Sequence, residues 1–164
     1  MSLFEFIKKS TKAKLHLHIE GTLEPDQMFV LAKKNNIQRH FKSIDDVKRA
    51  YNFDNLDSFL KIYYEGTKVL VKEQDFFDLT WAYALKCKEE NIVHTEIFFD
   101  PQTHTERGVK FDVVINGIYN ALLKAEKQFG LSFKIIMCFL RHLDESPCFK
   151  ILNQAILHKE KIFD

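Results

Sequence analysis

Three short apolar runs, separated by long segments with helical periodicity, most constrain what this chain can fold into. "AKLHLHI" (13–19), "VHTEIFF" (93–99) and "FKIIMCFL" (133–140) each end in polar or turn residues and read as strands. Between the first two, Pro25 suits a helix's first turn, and Met28, Phe29, Leu31 and Ala32 share a face, which predicts a helix over about 26–35. Ser43 caps the next segment, Leu56, Phe59, Leu60 and Tyr63 form a stripe, and Phe76, Leu79, Tyr83 and Cys87 form another. After the second run a helix starts at Asp112 and Gly130 caps it; after the third, Pro147 opens a helix. Strand and helix alternate, and parallel neighbours need a crossover for which a helix is the usual solution. The expectation is an α/β protein with a parallel sheet, either a barrel or a doubly wound open sheet.

Polar residues at the strand ends favour the barrel, whose active site is built from the C-terminal ends of its strands. His16, His18 and Glu20 close the first run, Asp100, Gln102 and His104 follow the second, and Arg141 and His142 follow the third. Side chains two apart on a strand share a face, so Lys14, His16 and His18 lie together while Leu15, Leu17 and Ile19 face the helices. Two imidazoles so placed can tilt toward one Zn²⁺ at roughly 2.0–2.1 Å. The same pair also fits a half-exposed strand face with no metal. Asp100-Pro101 reads as a turn opener in preference to a pocket wall, and Trp81 with the Phe-rich helices as packing.

Composition narrows the partners. Lys+Arg (24) and Asp+Glu (23) leave a formal charge of +1, so no basic field argues for nucleic acid, and a small-molecule partner is expected. Cys87, Cys138 and Cys148 are odd in number and lack C-x-x-C spacing, which fits a reducing cytoplasm. The apolar part of "MSLFEFIKKS" is too short for a signal peptide, and no run approaches the roughly 20 apolar residues of a membrane span. A soluble cytoplasmic protein with no membrane partner is the expectation.

Three motifs then carry a resemblance. "KAKLHLHIEGTLEPDQMFVLAKKN" resembles the first-strand motif of the adenosine/adenine deaminase family, "IFFDPQTHTERGV" (97–109) the second-strand segment of its adenine deaminase branch, and "IIMCFLRH" (135–142) the third-strand segment, in order. The resemblance implies a (β/α)8 TIM-type barrel of the metal-dependent hydrolase superfamily, with one Zn²⁺ per complete barrel. The reaction it implies is hydrolytic removal of the exocyclic amine of a purine in purine salvage. On the family motif, His16 and His18 are zinc ligands, and His18 and Glu20 bind substrate. The nucleoside deaminases resemble one another in having Asp where this chain has Glu20; the longer side chain would crowd a sugar, which points to free adenine over adenosine.

The family's remaining functional residues follow a fourth strand: a His-Ala-Gly-Glu motif, a later His and an Asp-Asp pair. No His of this sequence precedes Ala-Gly-Glu, and its Asp45-Asp46 reads as the acidic first turn of a helix. Residues 1–164 are therefore expected to form a single incomplete barrel domain, the N-terminal half of a purine deaminase, with a fourth strand starting at "KIFD" and no catalytic residue of its own. The isolated chain is expected to be inactive, and its open strand edges to require a C-terminal half or a homologous chain. The alternatives are an adenosine deaminase, a non-catalytic truncated subunit, or another metal-dependent hydrolase on the same kind of barrel.

Overall fold

A computed structural model describes residues 2–38 and 41–162. Strands β1 (Lys12–His18), β2 (Ile92–Phe99) and β3 (Ser132–Met137) form one parallel sheet in the order β1-β2-β3. Helices α1 (Leu3–Lys9), α2 (Pro25–Lys34), α3 (Ile44–Ala50), α4 (Leu56–Thr67) and α5 (Glu73–Glu89) precede β2. Helices α6 (Pro101–Thr105) and α7 (Phe111–Phe129) lie between β2 and β3, and α8 (Glu145–Ile156) follows β3.

The core lies between the sheet and the pair α5 and α7. Along β2 the side chains alternate, with Thr95, Ile97 and Phe99 buried on one face. The long helix α7 buries Val114, Ile115, Ile118, Ala121, Leu122 and Ala125, a spacing of three and four that keeps one stripe toward the core. Gly117 sits where α7 meets α5: a Cβ there would lie 2.5 Å from the Glu73 carbonyl oxygen, so only glycine permits the close approach. Gly130 takes the left-handed conformation (φ 72°) and ends α7 as its position predicts.

Departures from the expected elements have local causes. The third strand stops at Met137, not 140, because the Leu140 amide turns away to donate to Gln102 Oε1 at 2.8 Å. α8 starts at Glu145 with Asp144 at its N-cap, which places Pro147 at the third helical position, where an N–H would have no intrahelical acceptor. α1 was not expected; Ser2 and Glu5 form a capping box that starts it, a signal that "SLFE" carries. Leu15 is 57% exposed instead of packed because the β1–β2 register shifts between Lys14 and Leu17: Lys14 pairs with Thr95 and Leu17 with Ile97, both on the helix-facing side of β2, so the simple alternation breaks there and Lys14 does not share the face of His16 and His18 as expected. Asp46 closes a capping box with Ser43, consistent with the first-turn reading of Asp45-Asp46. Lys161 and Ile162 lie in a turn and a bend, and the rest of the expected fourth strand, Phe163 and Asp164, falls outside the described residues. Among the described residues no helix is long and apolar enough to cross a membrane.

Candidate functional site

His16 and His18 do share a face. Their ring centroids are 5.7 Å apart, and both rings lie against Phe98, at 4.4 and 5.6 Å, on the face of the sheet opposite α5 and α7. They border an open cavity of about 490 Å³ at the C-terminal ends of the strands, a size suited to a small ligand. Its wall also includes Phe59, Leu60, Tyr63 and Tyr64 from α4, Asp100, and Arg141 and His142 from beyond β3.

Asp100 joins these elements. It caps α6, so the turn reading holds, yet its buried carboxylate also lies on the cavity wall, and sequence reasoning undervalued it. Its Oδ2 lies 2.9 Å from His18 Nδ1 and 3.1 Å from the Tyr63 hydroxyl. The Asp100 hydrogen bond, against the opposing effect of burial, raises the His18 pKa above its ordinary value. A carboxylate on Nδ1 leaves Nε2 as the ring's other nitrogen, the arrangement by which metal-binding histidines are commonly oriented.

Glu20 lies beside the main cavity. Its carboxylate is buried behind Tyr63 and Asp100, and it borders a small adjoining cleft of about 30 Å³ instead of the main cavity. Oε1 accepts from the Asp100 amide at 3.1 Å and lies 3.1 Å from His104 Nε2; Oε2 accepts from the Tyr63 hydroxyl at 3.3 Å. The extra methylene of Glu is thus used to reach the residues that follow β2. Burial first, then the two carboxylates, push the Tyr63 pKa far above that of an ordinary tyrosine, so this hydroxyl keeps its proton.

His104 and Arg107 were missed as site residues. His104 is fully buried and Arg107 Nη2 lies 2.8 Å from its Nδ1, while the same guanidinium donates to the carbonyls of Thr67 and Leu70 beyond α4. Tyr63 read as one more member of an apolar stripe, and only its hydroxyl hinted otherwise. His18, Glu20 and Asp100 together could hold a cation, but their facing atoms already satisfy one another or neighbouring donors. Burial, reinforced by Asp100 and Glu20, pushes the Cys138 thiol up to about 11, which disfavours the thiolate.

The adenosine deaminase family profile matches residues 11–163. The chain belongs to that family. Among curated relatives, the adenine deaminase of Wolinella succinogenes is 60% identical over 98% of this chain and 49% of its own length. The adenine deaminase of Psychrobacter cryohalolentis is 58% identical over 98% of this chain and 48% of its own. The crystal structure of adenine deaminase from Arthrobacter aurescens aligns with a TM-score of 0.87 at 42% identity, over 92% of this chain and 46% of that one. A Burkholderia ambifaria amidohydrolase described with bound Zn aligns at a TM-score of 0.83 and 18% identity, covering 96% of this chain and 44% of its own, a likeness of fold. The chain spans about half the length of the curated relatives it matches. Its three β/α units are accordingly an N-terminal part of the family's barrel, which rules out the doubly wound alternative.

Proposed function

We propose that this chain contributes the first part of a zinc-dependent adenine deaminase site, which converts adenine and water to hypoxanthine and ammonia in cytoplasmic purine salvage. The observation that carries the reading is the pairing of His16 and His18 above the cavity, with Asp100 on His18 Nδ1. Two imidazoles on one face fit a zinc ion in donor chemistry, and they supply two of the three or more protein ligands a catalytic zinc takes. The others would come from residues this chain does not contain. Zinc, when bound, makes water a nucleophile near neutral pH, suited to attack at C6 of the purine.

The chain's own residues do the rest of what falls to this half. Asp100 fixes the ring orientation of His18, Tyr63 holds its proton between Asp100 and Glu20, and Phe59 and Leu60 give the base an apolar wall. Glu20 acts on the substrate side of the site through Asp100 and Tyr63. The adenine deaminase names of the relatives favour adenine over adenosine.

The test is to co-express the chain with the C-terminal half of the Wolinella succinogenes relative and measure ammonia release. Release from adenine by the pair, and none by the isolated chain, is expected. Turnover of adenosine but not adenine, or zinc-dependent turnover by the isolated chain, would overturn the reading. A second reading, a non-catalytic partner of a homologous chain, is favoured by β1 and β3 each having, among the described residues, a neighbour on one side only. A monodisperse monomer in solution would count against it.

A further inference from the structure

His104 and Arg107 have no place in the chemistry above, yet their hydrogen bonds determine how the floor of the site is arranged. Arg107 has only donors, and its Nη2, shared with the Thr67 and Leu70 carbonyls, lies 2.8 Å from His104 Nδ1, so Nδ1 carries no hydrogen of its own. The ring hydrogen of neutral His104 therefore sits on Nε2 and is donated to Glu20 Oε1 at 3.1 Å. That oxygen also receives the Asp100 amide at 3.1 Å, so two donors converge on it. Glu20 Oε2 faces the Tyr63 hydroxyl, which lies nearer to Asp100 Oδ2, 3.1 Å against 3.3 Å. Asp100 Oδ2 then has Tyr63 and His18 as its partners.

Glu20 Oε2 and Asp100 Oδ2 share the one Tyr63 hydrogen, whereas the other Asp100 oxygen has no neighbouring donor among the described residues. Asp100 Oδ1 receives no hydrogen bond from the described residues, although the side chain is only 9% exposed and lies on the cavity wall. Asp100 Oδ1 is not among the buried side-chain atoms that lack a partner, so the side chain turns this free oxygen to the cavity, where a ligand N–H can meet it. Free adenine carries an imidazole-ring N–H; a nucleoside, substituted at that nitrogen, does not.

We propose that Asp100 Oδ1 accepts the imidazole-ring N–H of a free purine base, and that Arg107, His104 and Glu20 are positioning residues that hold it there. The proposal rests on the purine reading and assigns its selectivity for base over nucleoside to Asp100. A site built to bond an N–H rejects an analogue lacking it strongly, by up to about 10⁴-fold.

The test compares adenine with 9-methyladenine, which is nearly the same size and has no ring N–H. In the isolated chain, backbone amide shifts at Asp100 are followed as each base is added. The expected result is binding of adenine at least about tenfold tighter, and loss of that preference in Asp100→Ala, which leaves no side-chain acceptor there. Equal binding of the two bases, or no shift with either, overturns the proposal. In the complemented enzyme the ratio of kcat/KM for the two bases separates this role from the orientation of His18. A defect confined to His18 lowers both values equally and preserves the ratio, whereas the proposed role collapses it. His104→Gln, which keeps a donor toward Glu20, should retain the preference, and His104→Leu should lose it; equal behaviour of the two removes the positioning role. Imidazole ¹⁵N shifts should show His104 protonated at Nε2 alone, and the opposite tautomer refutes the network. If the complemented enzyme leaves adenine unchanged, the deaminase reading fails while binding to the isolated chain still decides the role of Asp100.

Discussion

Replacing Gly117 with alanine sets two effects of opposite sign against each other. Glycine inside a helix is less favourable than alanine by about 1 kcal/mol, so in open space the substitution would stabilise α7. Here the new Cβ would meet the Glu73 carbonyl oxygen at 2.5 Å and the Phe76 Cβ at 2.6 Å. Ordinary carbon contacts lie at about 3.5–4.0 Å, so the first turn of α5 must retreat by roughly 1 Å. Neither obstacle is the loose end of a flexible side chain. Overpacking of this kind costs about 1–3 kcal/mol, and after the gain of about 1 kcal/mol in helix propensity we expect a net loss of up to about 2 kcal/mol.

The retreat also has a target in the site, because Phe76 packs edge-on against His104 with centroids 4.8 Å apart. Urea unfolding of the wild type and Gly117→Ala, followed by circular dichroism, should show a lower midpoint with an unchanged slope. The His104 ring resonances should broaden or shift. A variant more stable than the wild type, with the helix-propensity gain uncancelled, would mean that α5 and α7 do not meet as closely as described.

Other perturbations give equally definite outcomes. Asp75 is fully buried and accepts from the Val71 and Lys72 amides, Asn35 Nδ2 and Lys34 Nζ at 3.1, 2.8, 2.7 and 2.9 Å; Asp75→Ala should cost about 3–5 kcal/mol by urea unfolding. Burial works to raise the Asp75 pKa, but these hydrogen bonds win and hold it below the usual carboxylate value. Its contribution is therefore complete above the unfolded pKa of about 3.9 and is lost as pH falls through the lower folded value; a wild-type advantage that persists undiminished at pH 2 would contradict this. His16→Ala with His18→Ala should abolish zinc binding by the chain in a chelator competition, and Asp100→Ala should weaken it by about 10- to 100-fold. Retention of zinc by the double variant would place the metal elsewhere.

The local parts of the fold were legible because they depend on near neighbours in the chain. Period-two alternation found the strands, the α7 stripe and Gly130 bounded that helix, and two histidines two apart had to share a face. Asp100 was misjudged because Asp before Pro is an ordinary turn opener, and nothing nearby in the chain reveals that His18, 82 residues away, sits beside it. His104 and Tyr63 were missed for the same reason: their roles come from buried hydrogen bonds made across the fold. Glu20 was found as a residue, but its hydrogen bonds to Asp100, His104 and Tyr63 were not legible, since rotamer and burial decide which way a carboxylate turns.

The order of the strands along the chain also bears on how the site comes into being. β2 and β3 enclose only the short α6 and α7, and their pairing joins residues as close as His94 and Ser132, 38 apart, whereas β1 must close a loop containing four α-helices. Each doubling of a loop costs only about 0.6 kcal/mol in closure entropy, but β2, α7 and β3 can bury their shared apolar stripe without β1. We therefore expect the right half of the sheet to form first and the histidine strand to dock last. Native-state hydrogen exchange should then find the β1 amides opening at lower free energy than those of β2 and β3, and uniform protection would refute it. On this view the metal-facing strand is the most readily detached piece of the sheet, and any ligand that bridges His18 and Asp100 acts as a clasp on the last step of folding.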